Sequence, residues 1–191
     1  ASAQAGDVIY LAAGQYAINY KAGVKLVGAS ADDVTIGISK GYTVNGDVAI
    51  ENVTLKFSNA NYTGFQHTSQ EAYKNCTIIG QPFLYGETVV FEECTFEQTS
   101  ASAYNVWTYG AKTVTFNGCT FNCAGKSVLV YNEKGHVHNV TFNECVLNAS
   151  APAEGKAAVE IDSSFPNGGT GHYTVNFIST SANGFAEGNV S

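Results

Sequence analysis

Few residues of this chain have the types and spacing that chemistry requires. His136-Val137-His138, with Glu133 nearby, sets two imidazoles at i and i+2 in a metal-like pattern, but no third ligand accompanies them and no metal site is expected. Asp32 and Asp33 are adjacent in a turn and read as a solvated loop. Glu92 and Glu97 face outward on one repeat. Their counterparts on later repeats are Asn117, Asn143, Asn122 and Asn148, so no acid pair is built between neighbours and no catalytic residue is assigned. Trp107, Tyr104 and Tyr109 have the composition of a sugar-stacking platform. Trp107 aligns with Phe83, Leu129 and Val159, and Tyr109 with Tyr85, Tyr131 and Ile161, which places both in core columns. That leaves Tyr104 as the exposed aromatic. Tyr104, its neighbour Asn105, and His67 in an earlier polar loop are the candidate ligand-binding residues, and no cofactor is expected.

The elements that must position these residues are written as a repeat. Val89-Val90-Phe91-Glu92-Glu93-Cys94-Thr95-Phe96 returns as Val114 to Phe121 and again as Val140 to Leu147. A spacing of about 25 residues belongs to stacked coils rather than to a single compact topology. Within each copy apolar and polar residues alternate, break for two positions, and resume, as in two short strands meeting at a corner. The corner residue is Asn52, Asn75 and Gly118 in three copies, types that tolerate the left-handed region; Glu93 and Glu144 depart from that rule. Columns then form along the stack: Val53, Cys76, Cys94, Cys119, Cys145 in one, and Leu55, Ile78, Phe96, Phe121, Leu147 in another. A third strand recurs as Phe83-Leu84-Tyr85, Trp107-Thr108-Tyr109, Leu129-Val130-Tyr131 and Val159-Glu160-Ile161. Residues 58–72, 98–105 and 149–156 are polar and read as loops that leave the coil. The outward column Thr54, Thr77, Thr95, Thr120 suggests an ice-binding array, but its neighbour column reads Lys56, Ile79, Glu97, Asn122, which is ordinary strand surface.

These features predict an all-β fold: a right-handed parallel β-helix, or solenoid, of about eight coils with three short strands per coil, spanning residues 1–191 as a single domain. The opening Ala5 to Tyr16, followed by Leu26-Val27-Gly28 and the Val-x-Phe-x-x-Cys-x-Phe copies, resembles the parallel β-helix superfamily of pectate lyases, polygalacturonases, phage tailspikes and bacterial surface proteins. The resemblance covers roughly residues 5 to 180 and concerns the fold. Enzymes of that superfamily use clustered Asp, or an Arg base beside calcium-binding acids. This chain has no Arg and no Asp between Val48 and Ile161.

Composition narrows the partners. All nine basic residues are Lys against 16 acidic residues, and the net charge of −7 disfavours nucleic acid, anionic lipid and strongly acidic polysaccharides. No apolar run approaches a membrane span, so no membrane insertion is expected. The five Cys are odd in number and four share one inward column, where parallel side chains do not readily reach disulfide torsions; they are expected to be reduced.

The expectation is therefore a non-catalytic, surface-displayed β-helix: a structural spacer or an adhesive, glycan-binding module of a bacterial envelope protein or a phage particle. Its localisation would be extracellular, on a bacterial cell surface or a virion, and its partner a glycan or host-surface receptor. Further protein or another subunit would cover an open end of the helix. The alternative is a polysaccharide lyase or glycoside hydrolase on the same fold.

Overall fold

The structure, a computed structural model, describes residues 2–131, 137–151, 156–162 and 172–185. Every regular element among them is a strand, and no helix is long and apolar enough to cross a membrane. Strands Val8–Leu11, Lys25–Gly28, Gly41–Glu51, Gly64–Lys74, Thr88–Glu92, Thr113–Asn117, Val137–Asn143 and His172–Ile178 form one eight-stranded sheet in that order. Strands Gly14–Ala17, Val34–Ile38, Thr54–Phe57, Thr77–Ile79, Thr95–Gln98, Thr120–Cys123, Val146–Ala149 and Ser181–Asn183 form a second. Pairing is parallel throughout, and the chain alternates between the two sheets, as a solenoid requires. A third sheet contains Val106–Trp107, Val128–Tyr131 and Val159–Asp162.

Register stacks like upon like, because a parallel ladder sets identical positions about 4.8 Å apart. Phe91 pairs with Phe116, Phe116 with Phe142 and Phe142 with Phe177. Together with Tyr73, these rings stack nearly parallel in one file at centroid spacings of 4.6, 5.3, 5.0 and 5.3 Å. Phe96 and Phe121 repeat the arrangement in the second sheet at 4.5 Å. The corner residues Asn52, Asn75, Glu93, Gly118 and Glu144 all lie in the left-handed region, with φ of 56, 49, 53, 59 and 54°. The two glutamates accept that backbone despite their Cβ, because the registered strands on both sides leave the chain no other path.

The inward cysteines form one file. Cys76, Cys94, Cys119 and Cys145 are free, buried, and lie directly before registered second-sheet strands. Each thiol donates to the carbonyl two residues back, at 3.3 to 3.4 Å, and also points at a carbonyl of the preceding coil. Thr180 makes the same two contacts with its hydroxyl, to Ile178 and Phe142. Cys123 is a fifth buried thiol, which burial pushes up to about 11.

Three expectations are corrected. Residues 58–72 are not one loop, because Gly64–Lys74 is a strand of the first sheet. The third sheet is shorter than expected: Phe83 makes only an isolated bridge to Trp107, and in earlier coils the eleven-residue strands Gly41–Glu51 and Gly64–Lys74 occupy the available length. Finally, Leu129 pairs with Glu160 and Tyr131 with Asp162, so the columns of Trp107 and Tyr109 end on acids rather than on Val159 and Ile161.

Candidate ligand-binding face

The third sheet has two apolar faces, and only one of them belongs to the main core. Val106, Thr108, Val128 and Val130 are fully buried on the inner side. Strand alternation then directs Trp107, Tyr109, Leu129, Tyr131, Glu160 and Asp162 to the outer side. There Tyr104, Leu129 and Tyr131 form a second cluster, with Trp107 and Tyr109 half-buried against it. Phe83 stacks on Trp107 at 4.9 Å and 22°, Tyr109 lies 5.3 Å from Tyr85 and 5.8 Å from Tyr131, and Tyr62 leans over Phe83 and Tyr109 at 5.7 and 5.6 Å. Tyr62 is 53% exposed and forms the outer edge of an aromatic strip running along the coil stack. The two core columns inferred for Trp107 and Tyr109 are therefore the floor of this strip.

Charge lies at one end of the strip. Tyr104 OH donates to Glu160, Lys156 Nζ lies 2.8 Å from the same carboxylate, and Lys126 Nζ sits 5.0 Å from the Tyr104 ring. Burial, reinforced by the Glu160 carboxylate, raises the Tyr104 phenol above its ordinary value. Among the described residues the buried Trp107 indole N–H has no hydrogen-bond partner.

The three candidate ligand contacts are not gathered in one place. Tyr104 is only 9% exposed, a difference from the expected solvent-facing ring, and acts as a strut: its N–H donates to Gln81 and its carbonyl accepts from Gln98. Asn105 is fully buried, and its amide donates to the Asn122 carbonyl at 3.1 Å. His67 is exposed at a left-handed bend (φ 60°) of Gly64–Lys74, near where Asn45 (φ 57°) bends the preceding coil, and it stands in no common pocket with the other two. His138 is buried against Thr108, its Nε2 2.7 Å from Oγ1, while His136 and Glu133 lie outside the described residues. Among the described residues no group of three or more His, Cys, Asp or Glu is placed to hold a metal ion. Glu92 faces Lys74 at 3.4 Å and Glu97 accepts from Asn122, on different sheets.

One supporting residue was missed. Glu71 points inward, in register between Val48 and Val89, and is 2% exposed. Its carboxylate accepts from Thr68 Oγ1 (2.7 Å), Tyr73 OH (2.5 Å) and the Gly86 N–H (3.1 Å), and so fixes the turn that presents Tyr85 to the strip. Burial raises its pKa more than these donors lower it. An acid aligned with Val48 and Val89 was the available signal, and reading residues 58–72 as a loop hid it. The chain matches no family model, no curated protein and no solved structure.

Proposed function

We propose that this chain is a non-catalytic right-handed parallel β-helix of about eight coils, akin to the pectate-lyase-like superfamily. In this reading it is displayed outside the cell as a spacer or adhesive module of a bacterial envelope protein or phage particle, and it holds a glycan or host-surface receptor. The handedness follows from the strong rule for crossovers between parallel strands. The observation that carries the binding role is the aromatic strip: rings on successive coils, partly open to solvent, with polar groups at one end, is the composition that stacks against sugar faces. A specific feature favours the runner-up, a polysaccharide lyase or glycoside hydrolase, since Glu160 and Asp162 share one strand face beside that strip.

Calorimetric titration with neutral and acidic oligosaccharides, followed by mass spectrometry of the mixtures, separates the two. Binding without new reducing ends or unsaturated products, weakened about ten-fold by Tyr62→Ala or Tyr109→Ala, is the expected result. Turnover abolished by Glu160→Gln would overturn it in favour of the enzyme, and binding indifferent to both tyrosines would remove the strip from the account.

A further inference from the structure

A second surface is built differently and lies on the second sheet. The outward residues Glu97, Asn122, Asn148 and Asn183 are in register on four consecutive strands. Their side chains form a directed row: Asn122 Nδ2 donates to Glu97 Oε1 (2.7 Å), Asn148 Nδ2 to Asn122 Oδ1 (3.1 Å) and Asn183 Nδ2 to Asn148 Oδ1 (2.9 Å). Glu97 sets the direction, because an ionised carboxylate only accepts and so turns the nitrogen of Asn122 toward itself. Each following amide must then face the same way. An amide has two N–H donors and two acceptor lone pairs, and each internal link of the row uses one of each. One donor and one acceptor per coil are left over.

Glu97, Asn122 and Asn148 of the row form the floor of a furrow of about 490 Å³ that crosses three coils, with Thr99, Ala124, Ala149 and Ser150 among its walls. The wall is firmly held: Gln98, buried behind it, donates to Asn59 and to the Tyr104 carbonyl, and Ser100 N–H donates to Gln98. Among the described residues no Lys lines the furrow, and the one charged group is the Glu97 carboxylate.

We infer that this furrow is a binding site for an uncharged polysaccharide chain lying along the coil axis, separate from the aromatic strip. Three properties select that ligand. Donor–acceptor pairs spaced by about one coil rise of 4.8 Å suit a polymer whose hydroxyls recur with every sugar ring. An extended peptide repeats at about 3.4 Å per residue and falls out of step with the row. The absence of a basic lining residue together with Glu97 disfavours acidic glycans and nucleic acid, while the methyl groups of Ala124 and Ala149 offer apolar contact to C–H faces of the sugar.

The test uses the full chain, run in native gels containing hydroxyethylcellulose, galactomannan or dextran, with polygalacturonate as the acidic control. Side-chain amide resonances of Asn122 and Asn148 are followed by NMR on adding the matching oligosaccharide. At least one neutral polymer should retard the chain and shift both amides. Asn122→Leu/Asn148→Leu should weaken retardation about ten-fold or more. Because that double variant removes links of the row, Ser150→Arg provides an independent block at an exposed wall position that leaves the row intact, and it should do the same. Tyr62→Ala should leave furrow binding unchanged. Retardation unaffected by both furrow variants, amide signals that stay still while the polymer binds, preference for polygalacturonate, or no retardation by any neutral polymer would each overturn the inference. The first two of those results leave the aromatic strip standing on its own test.

Discussion

At the scale of single residues, the positions that matter most are those where a side chain opposes its surroundings. Glu93 and Glu144 hold left-handed corners that would suit Asn or Gly, at a cost of about 1 kcal/mol each. Glu71 is the stronger case, because a carboxylate occupies a place that Val48 and Val89 fill on the neighbouring coils. Its pKa is raised on folding from an ordinary 4.5, so between that value and the higher folded one the native state binds more protons than the unfolded chain. The linked stability is fully present below the unfolded value and is lost as pH rises through the folded one. Denaturant unfolding across a pH series should show stability declining from acid toward neutral pH, and Glu71→Gln should flatten that decline. A variant with the same slope as the parent would mean that Glu71 titrates normally.

At the scale of elements, the corner between first- and second-sheet strands is held by a donor. The sequence supports Cys as a small buried hydrophobe, and the file of four is where that reading places it. The structure adds a role for thiols in particular: each S–H gives a second, weaker hydrogen bond to a corner carbonyl that already accepts a backbone N–H from the neighbouring coil, and Thr180 does the same with a hydroxyl. Cys119→Thr should therefore keep more stability than Cys119→Val by about 1 kcal/mol, although Thr and Val have the same shape. Equal stability, measured by chemical unfolding, would mean that volume alone sets this column.

At the scale of the whole molecule, stability belongs to the stack, because each coil contacts mainly its neighbours. Phe116 lies between Phe91 and Phe142 and is fully buried, whereas Phe177 stacks on Phe142 and is 44% exposed. Phe116→Ala should cost about 3–5 kcal/mol and Phe177→Ala far less, read from unfolding midpoints at constant slope. Similar losses at both positions would mean that His172–Ile178, the last described strand of the first sheet, is covered as completely as the middle of the stack.

Sequence by itself determined the parallel ladders, the corner positions and the inward columns of Cys, Val and Phe, because a side chain recurring every two dozen residues can be buried each time only by stacking on its own copies. What tertiary structure decided was the direction of the third strand and the position of Glu71. Val106, Trp107, Thr108 and Tyr109 offer no charged face, so a period of two fits either orientation, and the largest rings suit the interior. The core between the sheets was already filled by the stacked phenylalanines and by Val106 and Val128, which sent the rings outward and left them as a surface.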